Sequence, residues 1–194
     1  MKPLQPIAMG LVIIVLSARF RGYDALADPA GWLLVAVGVS ALPARVAHHG
    51  TLLRLAALAG VVSAVLWFPA VTDALDDADP SLAWAANLPQ LMFTALLCHS
   101  LAGAAADAGD ARARRWLRSA RTGVVVVGLL PVLVFGAGLA SYEVATYLAA
   151  GLVAVLVTGL LFAYGSRAWA RSDPASDLRE RQQGPPLPEE ERPL

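Results

Sequence analysis

Cysteine, lysine and charge in general are scarce in this sequence. Its 194 residues include one cysteine, Cys98, and one lysine, Lys2. A single thiol cannot form an internal disulfide, a CxxC redox pair or a thiolate metal site, which excludes quinone-linked thiol oxidoreductases. We expect Cys98 to be a small buried apolar residue, as free cysteines commonly are.

Charged side chains are fewer than a soluble domain would carry. They make up 15% of the chain, whereas hydrophobic residues make up 57%, and soluble domains carry roughly a quarter charged residues. The charges leave six long apolar stretches, and a helix needs about 20 apolar residues to cross the hydrocarbon core. None of them alternates with the period of two that a membrane β-barrel shows. The sequence therefore predicts an all-α integral membrane bundle with about six transmembrane helices.

The predicted transmembrane domain covers residues 1–170. The first two spans are short, so Arg19 and Arg45 would extend their guanidinium groups to the interface. Residues 171–194 are rich in proline and glutamate, and they predict a disordered cytoplasmic tail. The expected spans are approximately 4–20, 30–46, 53–72, 82–105, 122–141 and 145–166.

The first span also has features of a cleavable signal peptide. Lys2 precedes the apolar run 7–16, and the triplet 25–27 has the small residues of a cleavage site. Two arginines and an aspartate separate that run from the triplet, which argues against cleavage. We expect the span to be retained; cleavage would leave five spans.

Basic residues indicate the orientation. With a cytoplasmic amino terminus, thirteen of the fifteen basic residues lie inside and only Arg19 and Arg21 lie outside, a strong positive-inside bias. Almost all of them are arginine in a chain rich in alanine, valine and leucine, which indicates a GC-rich bacterial source. We predict a bacterial plasma membrane protein with both termini cytoplasmic. Five tryptophans lie near predicted span ends, where interfacial aromatics are common: Trp32, Trp67, Trp84, Trp116 and Trp169.

The strongest basic run is 111–121, ARARRWLRSAR. Arg114, Arg118 and Arg121 share one helical face, with Trp116 and Leu117 beside it. Such a segment predicts an amphipathic helix in contact with anionic lipid. The run is short and adjoins the membrane, so we predict no nucleic-acid binding.

The connector after the first span has a distinctive pattern of glycine, aspartate and aromatic residues: Gly22, Tyr23, Asp24, Leu26, Asp28, Gly31 and Trp32. It resembles small uncharacterised multi-pass membrane proteins of bacteria in which the first helix runs into G-[FY]-D-x-L-x-D-x-x-G-[WY]. Those proteins commonly have proline before the second aspartate, whereas this chain has Ala27 there and Pro29 after it. The resemblance implies an integral membrane protein and supplies no catalytic residues.

Polar residues at the predicted outer side form a candidate site: Tyr23, Asp24, Asp28, Asn87 and Gln90. One interpretation is structural. Asp28 caps the second span with Pro29 in its first turn, and amide side chains satisfy the carbonyl that Pro89 frees. The functional interpretation is an outward-facing cation or substrate site.

Three histidines are the remaining candidates for chemistry. His99 and one of His48 and His49 could form an axial pair for haem, but solvated loop histidines, and a hydrogen bond from His99 to a neighbouring helix, explain them more simply. No catalytic triad spacing, phosphate loop or metalloprotease motif occurs. We therefore predict no catalytic, cofactor-binding or metal-binding residue and no cofactor.

The functional prediction follows from these absences. No charged residue lies centrally in a predicted span, although proton-coupled carriers usually have one. We predict a non-enzymatic scaffold or modulator of a membrane complex, in contact with the bilayer and with a membrane protein partner or a second copy of itself. The alternative is a small permease or channel-like protein that uses the outer polar site.

Overall fold

The apolar stretches fold into α-helices, as the sequence predicts. The computed structural model describes residues 2–16, 19–20, 23–24, 28–76, 80–136 and 143–171. Two strands of two residues, β1 (Arg19–Phe20) and β2 (Tyr23–Asp24), pair antiparallel between the first two helices. The helices are α1 (Leu4–Val15), α2 (Asp28–Ser40), α3 (His49–Leu66), α4 (Pro69–Asp76), α5 (Pro80–Asp107), α6 (Ala111–Gly136) and α7 (Glu143–Tyr164), followed by a 3-10 turn at Ala168–Ala170.

Neighbouring helices pack side by side and close into a ring. In order around the ring, α1, α2, α3, α5, α6 and α7 each contact the next, and α7 contacts α1. The short α4 lies against α3 and α5. Short connections between long helices give antiparallel neighbours, so the six longer helices run alternately up and down.

Apolar side chains fill the interior of the ring. Trp32 of α2 is 2% exposed, and its ring meets Phe93 of α5 edge to face at 5.3 Å between centroids. Gly60 of α3 makes room for it, since a Cβ there would lie 3.2 Å from the Trp32 Cβ. Cys98 is fully buried, which confirms the prediction for that residue. Trp32 lies near the start of α2, as predicted, but its indole packs inside the bundle; an interfacial depth for it stays a prediction.

Glycines bring α1 and α2 into close backbone contact. A Cβ on Gly31 would lie 2.8 Å from the Gly10 carbonyl oxygen, and a Cβ on Gly38 would lie 2.8 Å from the Pro3 carbonyl oxygen. Small residues of this kind allow helix axes to approach closely. Tight packing between α1 and α2 therefore supports the short predicted spans.

Three helical segments are long and apolar enough to cross a membrane: His49–Leu66, Trp84–Asp107 and Val144–Tyr164. Leu4–Val15 and Asp28–Ser40 are apolar but shorter. Part of the predicted span 122–141, and all of the predicted tail except Arg171, lie outside the described residues.

Several helix ends differ from the predicted span boundaries. The first span was predicted to reach residue 20, but α1 ends at Val15 and Phe20 belongs to β1. The third was predicted to end at residue 72, yet α3 ends at Leu66, and Pro69 opens α4 instead. A residue that precedes proline disfavours helical geometry, whereas proline fits the first turn of a new helix.

Candidate functional site

The five predicted polar residues lie on three elements. Tyr23 and Asp24 form β2, and Asp28 is the first residue of α2, as expected of a residue at a helix start. Asn87 and Gln90 lie in α5, with Asn87 exposed and Gln90 half-buried. The convergence of these side chains on one site stays a prediction.

A second group of polar residues meets at the opposite end of the bundle. Three segments form this end: the α2–α3 loop (41–48), the α5–α6 turn (108–110) and the turn after α7 (165–171). We call it the histidine end, because His48 and His99 lie there with ring centroids 5.7 Å apart. Beside them is an open cavity of about 150 Å³, whose polar lining comes from Arg45, His48, His99, Ser100, Asp107 and Arg118.

One face of α5 forms the floor of the cavity. His99, Gly103 and Asp107 are spaced by four residues, so they lie one above another on the helix. A Cβ on Gly103 would meet nothing within 4 Å, which leaves open space between the histidine and the aspartate. Ser100 lies beside them and, at 2% exposed, is the buried polar side chain of the described core.

His48 reaches this face through an unusual backbone conformation. Its φ is 64°, the one positive value for a residue other than glycine among the described residues. Histidine is enriched in this left-handed region, although the conformation still costs energy. His48 immediately precedes α3, and its carbonyl accepts a hydrogen bond from the Leu52 N–H. The conformation places Nδ1 of His48 at 3.4 Å from Oγ of Ser100.

Arg121 fixes the tautomer of His99. Nη1 of Arg121 lies 2.9 Å from Nδ1 of His99. Because a guanidinium group only donates hydrogen bonds, this nitrogen must accept, and the ring proton lies on Nε2. The expected bond from His99 to a neighbouring helix is thereby confirmed, and the N–H at Nε2 stays available to donate elsewhere.

Arg45 joins the α2–α3 loop to the turn after α7. Its Nε donates to the Trp169 carbonyl at 3.1 Å, and its Nη2 donates to the carbonyls of Ala168 at 3.2 Å and Arg171 at 2.7 Å. Nε and Nη2 of Arg45 are thus used within the protein, and the extension of Arg45 to a lipid interface stays a prediction.

Asp110 holds the same turn from the other side. Its Oδ1 accepts from the Ala113 N–H at 3.0 Å, which caps α6. Its Oδ2 accepts from Trp169 Nε1 at 3.4 Å and lies 3.9 Å from Arg167 Nε. These contacts, led by the Ala113 N–H, hold the pKa of Asp110 below its ordinary value. Trp169 is thus bonded and 6% exposed; it lies just after the end of α7, and its interfacial position stays a prediction.

The arginine-rich run is the beginning of α6, which continues unbroken from Ala111 to Gly136. The run is therefore helical, as predicted, and its contact with anionic lipid stays a prediction. Leu117, expected beside the basic face, is buried with Ala113, Ala120 and Val124. These four are spaced by three or four residues and form the stripe that faces the bundle. The arginines remain exposed, and Trp116 is 46% exposed in a shallow depression beside Arg112 and Arg115.

The sequence indicates the histidines as candidates for chemistry, but it does not reveal the cavity beside them. The spacing of His99, Gly103 and Asp107 was the available signal; nothing local pointed to Arg45 or Arg118. A cavity of about 150 Å³ holds a group about the size of benzene, so a haem macrocycle does not fit. In the described part of the chain, no three His, Cys, Asp or Glu side chains group as metal ligands do.

Comparison of the chain with protein-family models, curated proteins and solved structures found no significant match to any of them.

Proposed function

We propose that the chain is a six-span integral membrane protein of the bacterial plasma membrane that acts without catalysis, as a scaffold or modulator of a membrane complex. The observation that carries the membrane assignment is the outward face of α7. Leu148, Leu152 and Val155 are 69%, 72% and 66% exposed, and the apolar window of this helix is only 12% buried. An exposed apolar surface of this kind requires lipid or a protein partner against it.

The same pattern on other helices supports six spans. Leu33 and Val37 of α2 and Val61 of α3 are at least 60% exposed. Helices of a closed ring that alternate in direction would cross together, with local thinning of the bilayer at the short α1 and α2. The connector pattern that ends in Gly31 and Trp32 supports the same assignment.

The distribution of charge supports cytoplasmic termini. In the described part of the chain, every basic residue except Arg19 lies at or near the histidine end. The positive-inside rule then places this end in the cytoplasm. A basic surface at the cytoplasmic face is where a scaffold would contact a soluble domain or an anionic headgroup.

The packed interior supports a role without transport. Among the described residues the buried side chains are apolar apart from Ser100, and Trp32, Phe93 and Leu97 are among the most deeply buried. A bundle filled in this way offers protein and lipid contacts rather than a polar path.

Reporter fusions test the topology. Fusions after Asp76 and after Gly136 should report from the outside, and fusions after Gly109 and after Leu194 should report from the cytoplasm. A cytoplasmic signal from the Asp76 fusion would contradict the orientation. Equal signals from all four would contradict membrane insertion.

Native gel analysis of gently solubilised membranes tests the scaffold role. At native expression level the chain should migrate in a complex that is larger than a single chain in a detergent micelle. Chemical cross-linking before solubilisation should give a complex of the same size. A single chain in both conditions would count against a scaffold.

A small permease is the second candidate, and one observation favours it. The indole Nε1 of Trp32 is buried and has no hydrogen-bond partner among the described residues, one helical turn from Asp28. A buried donor without a partner, near the predicted outer polar site, could donate a hydrogen bond to a polar solute bound there. Flux through proteoliposomes that Asp28→Asn or Asn87→Leu abolishes would favour the permease.

A further inference from the structure

We propose that the cavity at the histidine end is a binding site for a phosphate group. The cavity is bounded by three segments that are distant in the sequence: the α2–α3 loop, α5 and α6. Each contributes at least one cationic or donor side chain to one small space. Side chains that were only solvated loop residues would not be expected to converge on one cavity.

The charge of the cavity favours an anion. Arg45 and Arg118 line it, Arg121 stands directly behind His99, and Asp107 is the one acidic residue of the lining. Nε and Nη2 of Arg45 donate to carbonyls, yet its charge remains. The positive charges outnumber the negative one, so an anion gains Coulomb energy on entry.

Free donors point to the same ligand. Arg118 makes no side-chain hydrogen bond or ion pair with the described residues, which leaves its planar fork available. His99 carries its proton on Nε2 because Arg121 occupies Nδ1. His48 uses Nδ1 towards Ser100 and keeps Nε2. A hydrogen bond from the charged Arg118 guanidinium to a phosphate oxygen is stronger than a hydrogen bond between neutral groups.

Size and shape select phosphate within the class of anions. A space of about 150 Å³ admits one tetrahedral group, so only the phosphate of a larger molecule would lie inside it. A planar carboxylate offers its oxygens in one plane, whereas the lining side chains come from three separate segments. The exposure of His48, His99 and Arg118 leaves the cavity open, so the rest of a phosphate ester can extend outside it.

Two sources can supply this group: free phosphate and the headgroup of a phosphomonoester lipid. Binding of free phosphate is independent of how the chain sits in a membrane, whereas the lipid source rests on the proposed cytoplasmic position of this end. If the proposed topology proves wrong, the measurement with free phosphate therefore still tests the site.

The test measures ligand-induced shifts of the unfolding temperature. The purified full chain in zwitterionic detergent is titrated with inorganic phosphate, with dihexanoyl phosphatidic acid and with dihexanoyl phosphatidylcholine as the control lipid. A saturable rise with inorganic phosphate identifies a free-phosphate site. A rise only with phosphatidic acid identifies a lipid headgroup site. No rise with either probe, or an equal rise with phosphatidylcholine, overturns the proposal.

Paired variants then locate the site. Arg118→Gln should weaken the apparent affinity about tenfold, since it removes one charge-assisted bond. Arg115→Gln on the same helix removes the same charge outside the cavity and should change the affinity less than about twofold. Equal losses in both variants would mean diffuse attraction to the basic helix, and would overturn the proposed site.

A second pair removes the space and keeps every charge. Gly103→Leu projects a side chain into the cavity, where a Cβ meets nothing within 4 Å, and Gly159→Leu places the same side chain in open space on α7. We expect the first to abolish the shift and the second to preserve it. If Gly103→Leu fails to fold, Gly103→Ser narrows the same space and should weaken binding. Unchanged binding in a folded Gly103 variant would contradict the site.

Discussion

Nη2 of Arg45 lies 2.7 Å from the carbonyl oxygen of Arg171, a residue 126 positions further along the chain. The same guanidinium group donates to the carbonyls of Ala168 and Trp169. Carbonyls after a helix end lack the partners that a continuing helix would provide. Arg45 supplies these partners and so joins the α2–α3 loop to the last part of the chain that the structure describes.

Loss of this group should loosen the turn after α7. We expect Arg45→Gln to lower the free energy of unfolding by about 1 kcal/mol, because several bonds from a charged donor are lost at a partly exposed position. Trypsin should cleave faster after Arg167, at the start of the 3-10 turn, as mass spectrometry would show.

Two further variants isolate the geometry of Arg45. Arg54→Gln removes an exposed charge near the same end and should leave the cleavage rate at Arg167 unchanged. Arg45→Lys keeps the charge without the planar fork, and its rate should fall between wild type and Arg45→Gln. Equal rates in Arg45→Gln and wild type would contradict the role of Arg45.

Asp110 should make the stability of the chain depend on pH. Its pKa is lowered in the folded state, most strongly by the Ala113 N–H and further by Trp169, Arg167 and the Arg112 N–H, while desolvation, the second largest effect, raises it. A lowered folded pKa means that ionised Asp110 stabilises the fold above its unfolded pKa of about 3.9. This contribution is lost as the pH falls from that value through the folded pKa.

The variant Asp110→Asn separates charge from capping, since asparagine also caps helices. Wild type should unfold at a higher temperature than the variant at neutral pH, and the two should converge below about pH 4. A difference that stays constant from neutral to acidic pH would show that Asp110 acts through shape alone.

Long, regular features were predictable from the sequence, and long-range polar contacts were not. The apolar runs predicted α3, α5 and α7, because a helix long enough to cross a bilayer has a strong local signal in the sequence. The extension of α6 back to Ala111 was missed, since arginines that surround an apolar stripe resemble a surface loop. The contacts of Arg45 and Asp110 join segments far apart in sequence, so no spacing rule reveals them.

The left-handed backbone of His48 gives a prediction about stability. A side chain with a Cβ costs about 1–2 kcal/mol in this region, and a β-branched one is especially unfavourable. His48→Gly should therefore unfold at or above the wild-type temperature, although it loses the contact with Ser100. His48→Val should unfold at a lower temperature than His48→Gly, as differential scanning fluorimetry would measure. The opposite order of the two variants would show that packing, rather than backbone conformation, decides at this position.

The close approach of α1 and α2 at Gly31 gives the sharpest test of the fold. A Cβ on Gly31 would lie 2.8 Å both from the Gly10 carbonyl oxygen and from Cγ1 of Ile14. The first neighbour is backbone and cannot rotate away, so Gly31→Ala forces the helices apart and should destabilise the chain by about 1–3 kcal/mol.

The matched control is Gly159→Ala, whose Cβ meets nothing within 4 Å. There alanine should stabilise α7 slightly, through its higher helix propensity. Thermal unfolding followed by size-exclusion chromatography would compare the two, and equal tolerance of both alanines would contradict the packing of α1 on α2. The adjacent Trp32 packs against α3 and α5, whereas the absence of a Cβ on Gly31 allows α1 to approach closely. The Gly31–Trp32 pair that ends the connector pattern therefore joins α2 to its neighbours on both sides, and this explains in physical terms why a glycine and a large aromatic stand next to each other there.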